Sequence, residues 1–408
     1  MATYKETKMK NSGVEWIGEI PENWEVKRGK KLFFEINDRC KNPENYPLLS
    51  VSEYYGVAPK SEKIDEGDFI THAETLDGYK ICQEGDIVQN IMLAWKRATG
   101  MSNYEGLISP AYCIYRPFKG VDSKYYHYLF RTDVYADLFK QFSTGIIDSR
   151  LRLYPAKFLS LKYAYPPKST QQRIASYLDK KCSKIEETIQ NQQQVIEKLK
   201  TYKQSLITEA VTGKIKIQNG KVCGKYESYK DSKLKWLGDF KIPEVWNTIQ
   251  VKSFVSIPVV DGPHESPELF DNGVPYISAT AIENSKIDFS LKRGFISEKY
   301  CDECDKRYKP MRDDILMIKL GATTGQVAII DTDERFNIWV PLAAIRCNKT
   351  IALPKFVFYS FQSDYCLKQM EMSWTFGTQQ TLGVSSIERL KIFLPNVETQ
   401  KTIADYLD

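Results

Sequence analysis

Apolar and polar positions change rhythm along this chain. Between Leu178 and Ala210 the apolar line advances by alternating steps of four and three: Leu178, Cys182, Ile185, Ile189, Gln192, Ile196, Leu199, Lys203, Leu206, Ala210. A 4-3 step held over more than four heptads predicts a coiled-coil helix rather than a merely amphipathic one. Gln192 and Lys203 intrude on the seam, where polar residues fix register at some cost in stability. The predicted interface is Leu178, Cys182, Ile185, Ile189, Gln192, Ile196, Leu199 and Leu206. Ahead of it Pro166-Pro167 closes the preceding segment, and Ser169 with Gln172 reads as a capping box. Gly213 reads as the C-terminal glycine. At 1.5 Å per residue, Thr170 to Thr212 spans about 64 Å, longer than a domain.

On either side of this helix the pattern is shorter and mixed. Ile87–Leu93 and Ile315–Leu320 read as buried strands, and Val327–Ile330 as another, joined to its predecessor by the turn Gly321-Ala322-Thr323-Thr324-Gly325. The blocks Lys124–Asp133 and Lys355–Asp364 read as helices, the second with Pro354 in its first turn.

These segments recur in order. Trp16-Ile17-Gly18-Glu19-Ile20-Pro21-Glu22-Asn23-Trp24 returns as Trp236-Leu237-Gly238-Asp239-Phe240-Lys241-Ile242-Pro243-Glu244-Val245-Trp246, Lys124–Asp133 as Lys355–Asp364, Pro166 as Pro395, and Ile174–Asp179 as Ile403–Asp408, at offsets of 220 to 231 residues. A collinear repeat of that period predicts two similar globular units. The expected fold is α/β, of mixed α+β type, with two repeated domains separated by a long coiled-coil helix. The expected boundaries are 1–166, 167–216 for the helix, 217–395, and 396–408 as the start of a second helix. That second helix stops at Asp408, the equivalent of Asp179. The seam of the first therefore needs another surface: a second copy, another protein, or a helix missing from this product.

Composition narrows the function classes. Hydrophobic residues at 42% and charged residues at 27% exclude wholesale disorder. Fifty-seven basic against 52 acidic side chains give +5, which permits a polyanionic partner without requiring one. Nine irregularly spaced cysteines read as reduced thiols in a cytoplasm. No apolar run approaches a membrane span, and the first residues lack the apolar core of a secretory signal.

Catalytic signatures are absent. There is no phosphate-binding G-x-x-x-x-G-K-[ST], and Gly321–Gly325 lacks the lysine. Tyr165-Pro166-Pro167-Lys168 lacks both the amide or acid and the aromatic of the adenine-gripping motif of methyltransferases. Cys301-Asp302-Glu303-Cys304 is a lone pair without the second pair of a zinc ribbon, and His72, His127 and His264 are too scattered for a metal cluster. His127 falls opposite Phe358 in the repeat and reads as a packing residue. His264, after the turn Asp261-Gly262-Pro263, reads as a contact residue.

Two units on a stiff helix suit a ligand with two separated features, such as duplex DNA, whose grooves repeat every 10–10.5 base pairs. Polar loops can pair with base edges, Arg or Lys with guanine and Gln or Asn with adenine. The candidate DNA-contacting residues are Lys96, Arg97, Thr144, Arg150, Arg152, His264, Lys319, Thr323, Thr324, Gln326, Thr378, Gln379 and Gln380.

The two Trp-(Ile/Leu)-Gly openings, Asp261–His264, Gly321–Gly325 with Val327-Ala328-Ile329, Gln171–Ala175 and Glu209–Ile215 together resemble the specificity subunit of type I restriction–modification systems. The resemblance covers essentially the whole chain. It implies two target recognition domains, each reading half of a bipartite DNA site, with the helix setting the spacer. It further implies docking to two modification methyltransferase subunits and, through them, to ATP-dependent restriction subunits. S-adenosylmethionine, ATP and Mg would then belong to those partners, and this chain would be non-catalytic and cofactor-free. Two other classes stay open: a stand-alone DNA methyltransferase or nuclease, and a coiled-coil adaptor that binds only proteins.

Overall fold

The structure, a computed structural model, describes residues 8–40, 43–61, 76, 78–376 and 379–408. It divides into two compact units, 1–191 and 192–408, with the boundary inside the long helix.

In the first unit, strands β1 (Phe33–Ile36), β2 (Ile87–Asn90), β3 (Thr99–Met101) and β4 (Tyr112–Pro117) form an antiparallel sheet in the order β1-β4-β2-β3. All four residues of β2 are buried, as its unbroken apolar start anticipates. One face is covered by α1 (Ser123–Phe130), α2 (Asp133–Phe142) and α3 (Pro155–Ser160). Helix α1 starts where Asp122 accepts hydrogen bonds from the Lys124 and Tyr125 N–H groups. The core between them is aromatic: Phe33, Tyr115, Tyr126, Phe130, Phe139, Phe158 and Tyr163 are fully buried, with Tyr115 stacked on Phe158 at 4.4 Å.

Helix α4 runs from Lys168 to Val211, 44 residues and about 66 Å. The Pro167 carbonyl accepts from Thr170 N and Gln171 N, so the helix begins a residue before Ser169. Ser169 thus sits inside the first turn, and the expected Ser169–Gln172 capping box is not formed. Gln171 makes the tie instead, its buried amide donating to the Pro166 and Gly120 carbonyls and accepting from Asp122 N. At the other end Gly213 adopts φ +71 and the Lys214 N–H returns to the Glu209 carbonyl, the left-handed glycine stop expected.

The second unit repeats the plan. Strands β5 (Val260–Asp261), β6 (Ile315–Ile318), β7 (Val327–Ile329) and β8 (Leu342–Ile345) pair antiparallel in the order β5-β8-β6-β7. Helix α5 (Glu298–Arg307) lies between β5 and β6, in a segment that also supplies Val274–Ile277, paired antiparallel with Gly294–Ile296 and parallel with Asn337–Ile338. Helices α6 (Pro354–Gln362), α7 (Asp364–Glu371), α8 (Val384–Arg389) and α9 (Val397–Leu407) follow. As expected, Pro354 opens α6.

Equivalent polar contacts hold both units. Buried Asp86 takes two hydrogen bonds from Arg116 at 2.9 Å each, and buried Asp314 takes two from Arg346 at 2.8 and 2.7 Å. Each carboxylate also accepts from a backbone N–H three residues before it, Gln83 and Met311. Gln400, the counterpart of Gln171, donates to the Pro395 and Ile351 carbonyls and accepts from Leu353 N. Asp179 binds Lys124 and the Tyr128 hydroxyl (2.8 and 2.7 Å), while Asp408 binds Lys355 and the Tyr359 hydroxyl. The sequence repeat is a structural one down to these side chains.

Helix α4 is buried only at its ends. Ala175 is buried in the first unit, and Ile207, Ala210 and Val211 in the second. Leu178 and Leu206 are half-buried, whereas Cys182, Ile185, Ile189, Gln192, Ile196 and Leu199 are exposed, Ile185 at 59% and Leu199 at 60%. Among the described residues no helix is long and apolar enough to cross a membrane.

Candidate nucleic-acid interface

The polar loops singled out from the sequence converge in pairs. In the first unit, β2 and β3 are joined by a short loop that winds a single 3-10 turn at Ala94–Lys96, places Arg97 at φ +67, and leaves Lys96 and Arg97 exposed. The second loop, 144–152, is some fifty residues away in sequence. Its ends are pinned where Thr144 and Arg152 exchange backbone hydrogen bonds of 2.9 and 3.0 Å. The next residue, Leu153, donates its N–H to the Ile91 carbonyl at 2.9 Å and so ties the second loop to the first. Lys140 bridges them as well, pairing with Asp148 at 2.8 Å and standing 4.7 Å from the Trp95 ring. Thr144, Arg150 and Arg152 are exposed on the second loop, while Arg97 is ion-paired with Asp133.

The second unit builds the same pair. The β6–β7 loop holds Lys319 to Gln326, and residues 375–376 and 379–381 belong to the other, where Thr375 pairs with Thr381. Leu382 N donates to the Lys319 carbonyl at 2.8 Å, the counterpart of Leu153 on Ile91. Gly321 N donates to the Gln380 carbonyl at 3.0 Å. Thr323, Gln326 and Gln379 are exposed and Gln380 half-buried. Thr324 is buried, its hydroxyl donating to the Gly321 carbonyl at 2.7 Å, and so braces the turn from within. Thr378, like His72, lies outside the described residues.

Lys319 is also buried, and its ammonium lies 3.0 Å from Asp261. Asp261 gathers three cationic or imidazole partners: Lys319, Arg307 at 2.6 Å and His264 at 3.1 Å. Burial alone would raise this carboxyl, but the Lys319 hydrogen bond and charge, aided by His264 and Arg307, outweigh it and hold the group below the usual carboxylate range. Lys319 therefore acts in this unit as an anchor for the base of its loop, and His264 stands at the rim with its ring 70% exposed.

One positioning residue escaped the sequence reading. Arg131 donates to the carbonyls of Arg97 (2.8 Å), Glu53 (2.9 Å) and Tyr54 (2.7 Å), fastening the end of the β2–β3 loop to the 52–54 segment. It is an ordinary arginine at a helix end, with no motif around it to mark that both terminal nitrogens of its guanidinium clamp backbone carbonyls. His127 packs beside it: burial, then the Arg131 charge, lowers its pKa to about 4, and its Nδ1 accepts from Met101 N. That agrees with a packing role.

Comparison with known proteins bears directly on this duplicated arrangement. The family model "Type I restriction modification DNA specificity domain" matches residues 243–408, which lie within the second unit. The putative type I restriction enzyme MjaX specificity subunit of Methanocaldococcus jannaschii is 24% identical over 420 residues, covering 99% of this chain and 90% of that one. The chain resembles a type I restriction specificity subunit from end to end. The EcoBI specificity subunit of Escherichia coli is also 24% identical, over 240 residues that make up 58% of this chain and 49% of that protein. A solved structure from a study of complex assembly and conformational transition in a type I restriction–modification system shares the fold, with a TM-score of 0.64 at 13% identity over 95% of this chain and 90% of that one.

Specificity subunits are the non-catalytic members of their enzymes, in keeping with a chain read as lacking catalytic motifs. The family model's match begins at residue 243, yet the ties at Gln171, Asp86–Arg116 and Leu153 reproduce in the first unit contacts made in the second.

Proposed function

We propose that this chain is the DNA-recognition subunit of a type I restriction–modification complex, each unit reading one half of a bipartite site and α4 setting the spacer between the halves. The observation that carries this is the duplicated pair of loops, fastened by the same backbone bond in both units, Leu153 to Ile91 and Leu382 to Lys319. Each pair presents exposed side chains suited to base edges and phosphates: Lys96, Arg97, Thr144, Arg150 and Arg152 in one, Thr323, Gln326 and Gln379 in the other, with His264 at the rim. Lys319, Thr324 and Gln380 shape the second pair from beneath. In this reading the exposed seam from Cys182 to Leu199 receives another helix, and two methyltransferase subunits, with restriction subunits beyond them, dock on the assembly and bring S-adenosylmethionine, ATP and Mg. The boundaries 1–166, 167–216, 217–395 and 396–408 are the corresponding functional divisions.

Methylome mapping of cells carrying the chain with its partner subunits tests the reading. Exchange of residues 12–165 for those of a relative is expected to change one half-site only. Four residues inserted near Gln192 lengthen the helix by about 6 Å and should alter the spacer alone. An exchange that altered both half-sites, or an insertion without effect on the spacer, would refute the division of labour.

A further inference from the structure

The two loop pairs differ in chemistry at their tips. In the second unit the loop before Leu382 carries Gln379, exposed, and Gln380. In the first, the 144–152 loop carries two consecutive isoleucines; Ile146 is 100% exposed and Ile147 52%. A scattered surface isoleucine needs no explanation, but this one is held out by a braced loop. Gly145 passes so close to the returning strand that a Cβ there would lie 2.6 Å from the Arg150 carbonyl oxygen, so only glycine allows the pinch. Behind the tip, Arg150 N donates to the Ile147 carbonyl at 2.9 Å, Thr144 and Arg152 exchange backbone bonds, and Lys140 grips Asp148. Exposed Arg150 and Arg152 follow the apolar tip on the same loop, and the tied neighbouring loop adds exposed Met92, Leu93 and Lys96, with Arg97 paired to Asp133.

An apolar point with cations on its own loop and on the loop tied to it matches one feature of duplex DNA. The major groove is wide enough for a two-stranded ribbon, and its walls are phosphate, while the thymine 5-methyl is the apolar group that a base presents there. Resting on the DNA-recognition reading above, we infer that Ile146 reads a thymine, through its methyl group, in the half-site met by the first unit. The arginines of that loop face phosphate or guanine, and Ile146 supplies the discrimination that a cation cannot. Burial of one methyl group against an aliphatic side chain is worth about fourfold in affinity.

The test uses the full-length chain assembled with its methyltransferase partners and the target duplex identified by methylome mapping, each thymine in turn replaced by uracil. In the half-site assigned to the first unit by the 12–165 exchange, uracil at one position should weaken binding about fourfold. Ile146→Ala should remove that discrimination, and Ile146→Val should keep part of it. Ile146 touches nothing inside the unit, so both variants fold. A half-site without thymine, uracil tolerated at every position, or discrimination that survives Ile146→Ala overturns the inference while leaving DNA recognition intact. A wild-type assembly with no sequence selectivity overturns both.

Discussion

His127 shows how one imidazole comes to depend on its surroundings. Its counterpart in the other unit is Phe358, and in the first unit the ring is enclosed, accepts from Met101 N and faces the Arg131 guanidinium. Burial first, and that charge second, lowers its pKa from 6.5 to about 4. Between those values the unfolded chain binds a proton that the folded chain does not, so stability falls as pH falls. By pH 4 the loss amounts to about 3 kcal/mol from this group. His127→Asn keeps an acceptor for Met101 and removes the titration; urea unfolding followed from pH 7 to 4 should lose that slope in the variant. The sequence made the packing role readable, because a histidine aligned with phenylalanine sits on an apolar face. It could not disclose Arg131, whose function lies wholly in which carbonyls surround it.

Elements were legible to the extent that their patterns are local. The buried strands β2 and β6, the turn at Gly321, Pro354 opening α6 and the glycine stop at Gly213 all follow from spacing and residue type. The start of α4 did not, because two adjacent glutamines compete for one reading. The local rule favours Ser169 with Gln172, whereas tertiary contact favours Gln171, one position earlier, where the side chain turns inward to three backbone groups of the first unit. Gln400 repeats the inward turn in the first turn of α9. Gln171→Ala leaves the half-buried Asp122 N–H and the buried Pro166 carbonyl without the Gln171 amide and should cost about 2 kcal/mol, as should Gln400→Ala. The sites are in separate units and share no partner, so denaturant titration of the double variant should give the sum of the two losses. A double variant no worse than either single one would show that these glutamines do not hold the helix starts independently.

At the scale of the whole molecule the repeat was the most readable feature, since tryptophans, prolines and capping residues recur at nearly constant offset. What lay beyond the sequence was the meeting of loops some fifty residues apart, and the Asp86–Arg116 and Asp314–Arg346 pairs, in which nothing local marks which arginine meets which carboxylate some thirty residues away. The burial of α4 at both ends and its bareness between them have a dynamic consequence. A helix ordinarily frays from its tips, but here the tips are clamped by Gln171 on one side and by Ile207, Ala210 and Val211 on the other. The stretch around Cys182 to Leu199 is exposed and, among the described residues, held mainly by bonds within the helix itself, such as Thr188 to the Lys184 carbonyl and Lys200 to Glu197, whereas most helical stability in proteins comes from tertiary packing of an apolar face. In the lone chain this rod should loosen at its waist. Amide deuteration followed by mass spectrometry should find the 182–199 peptides exchanging well ahead of those at either end, and a partner helix laid along the seam should slow them.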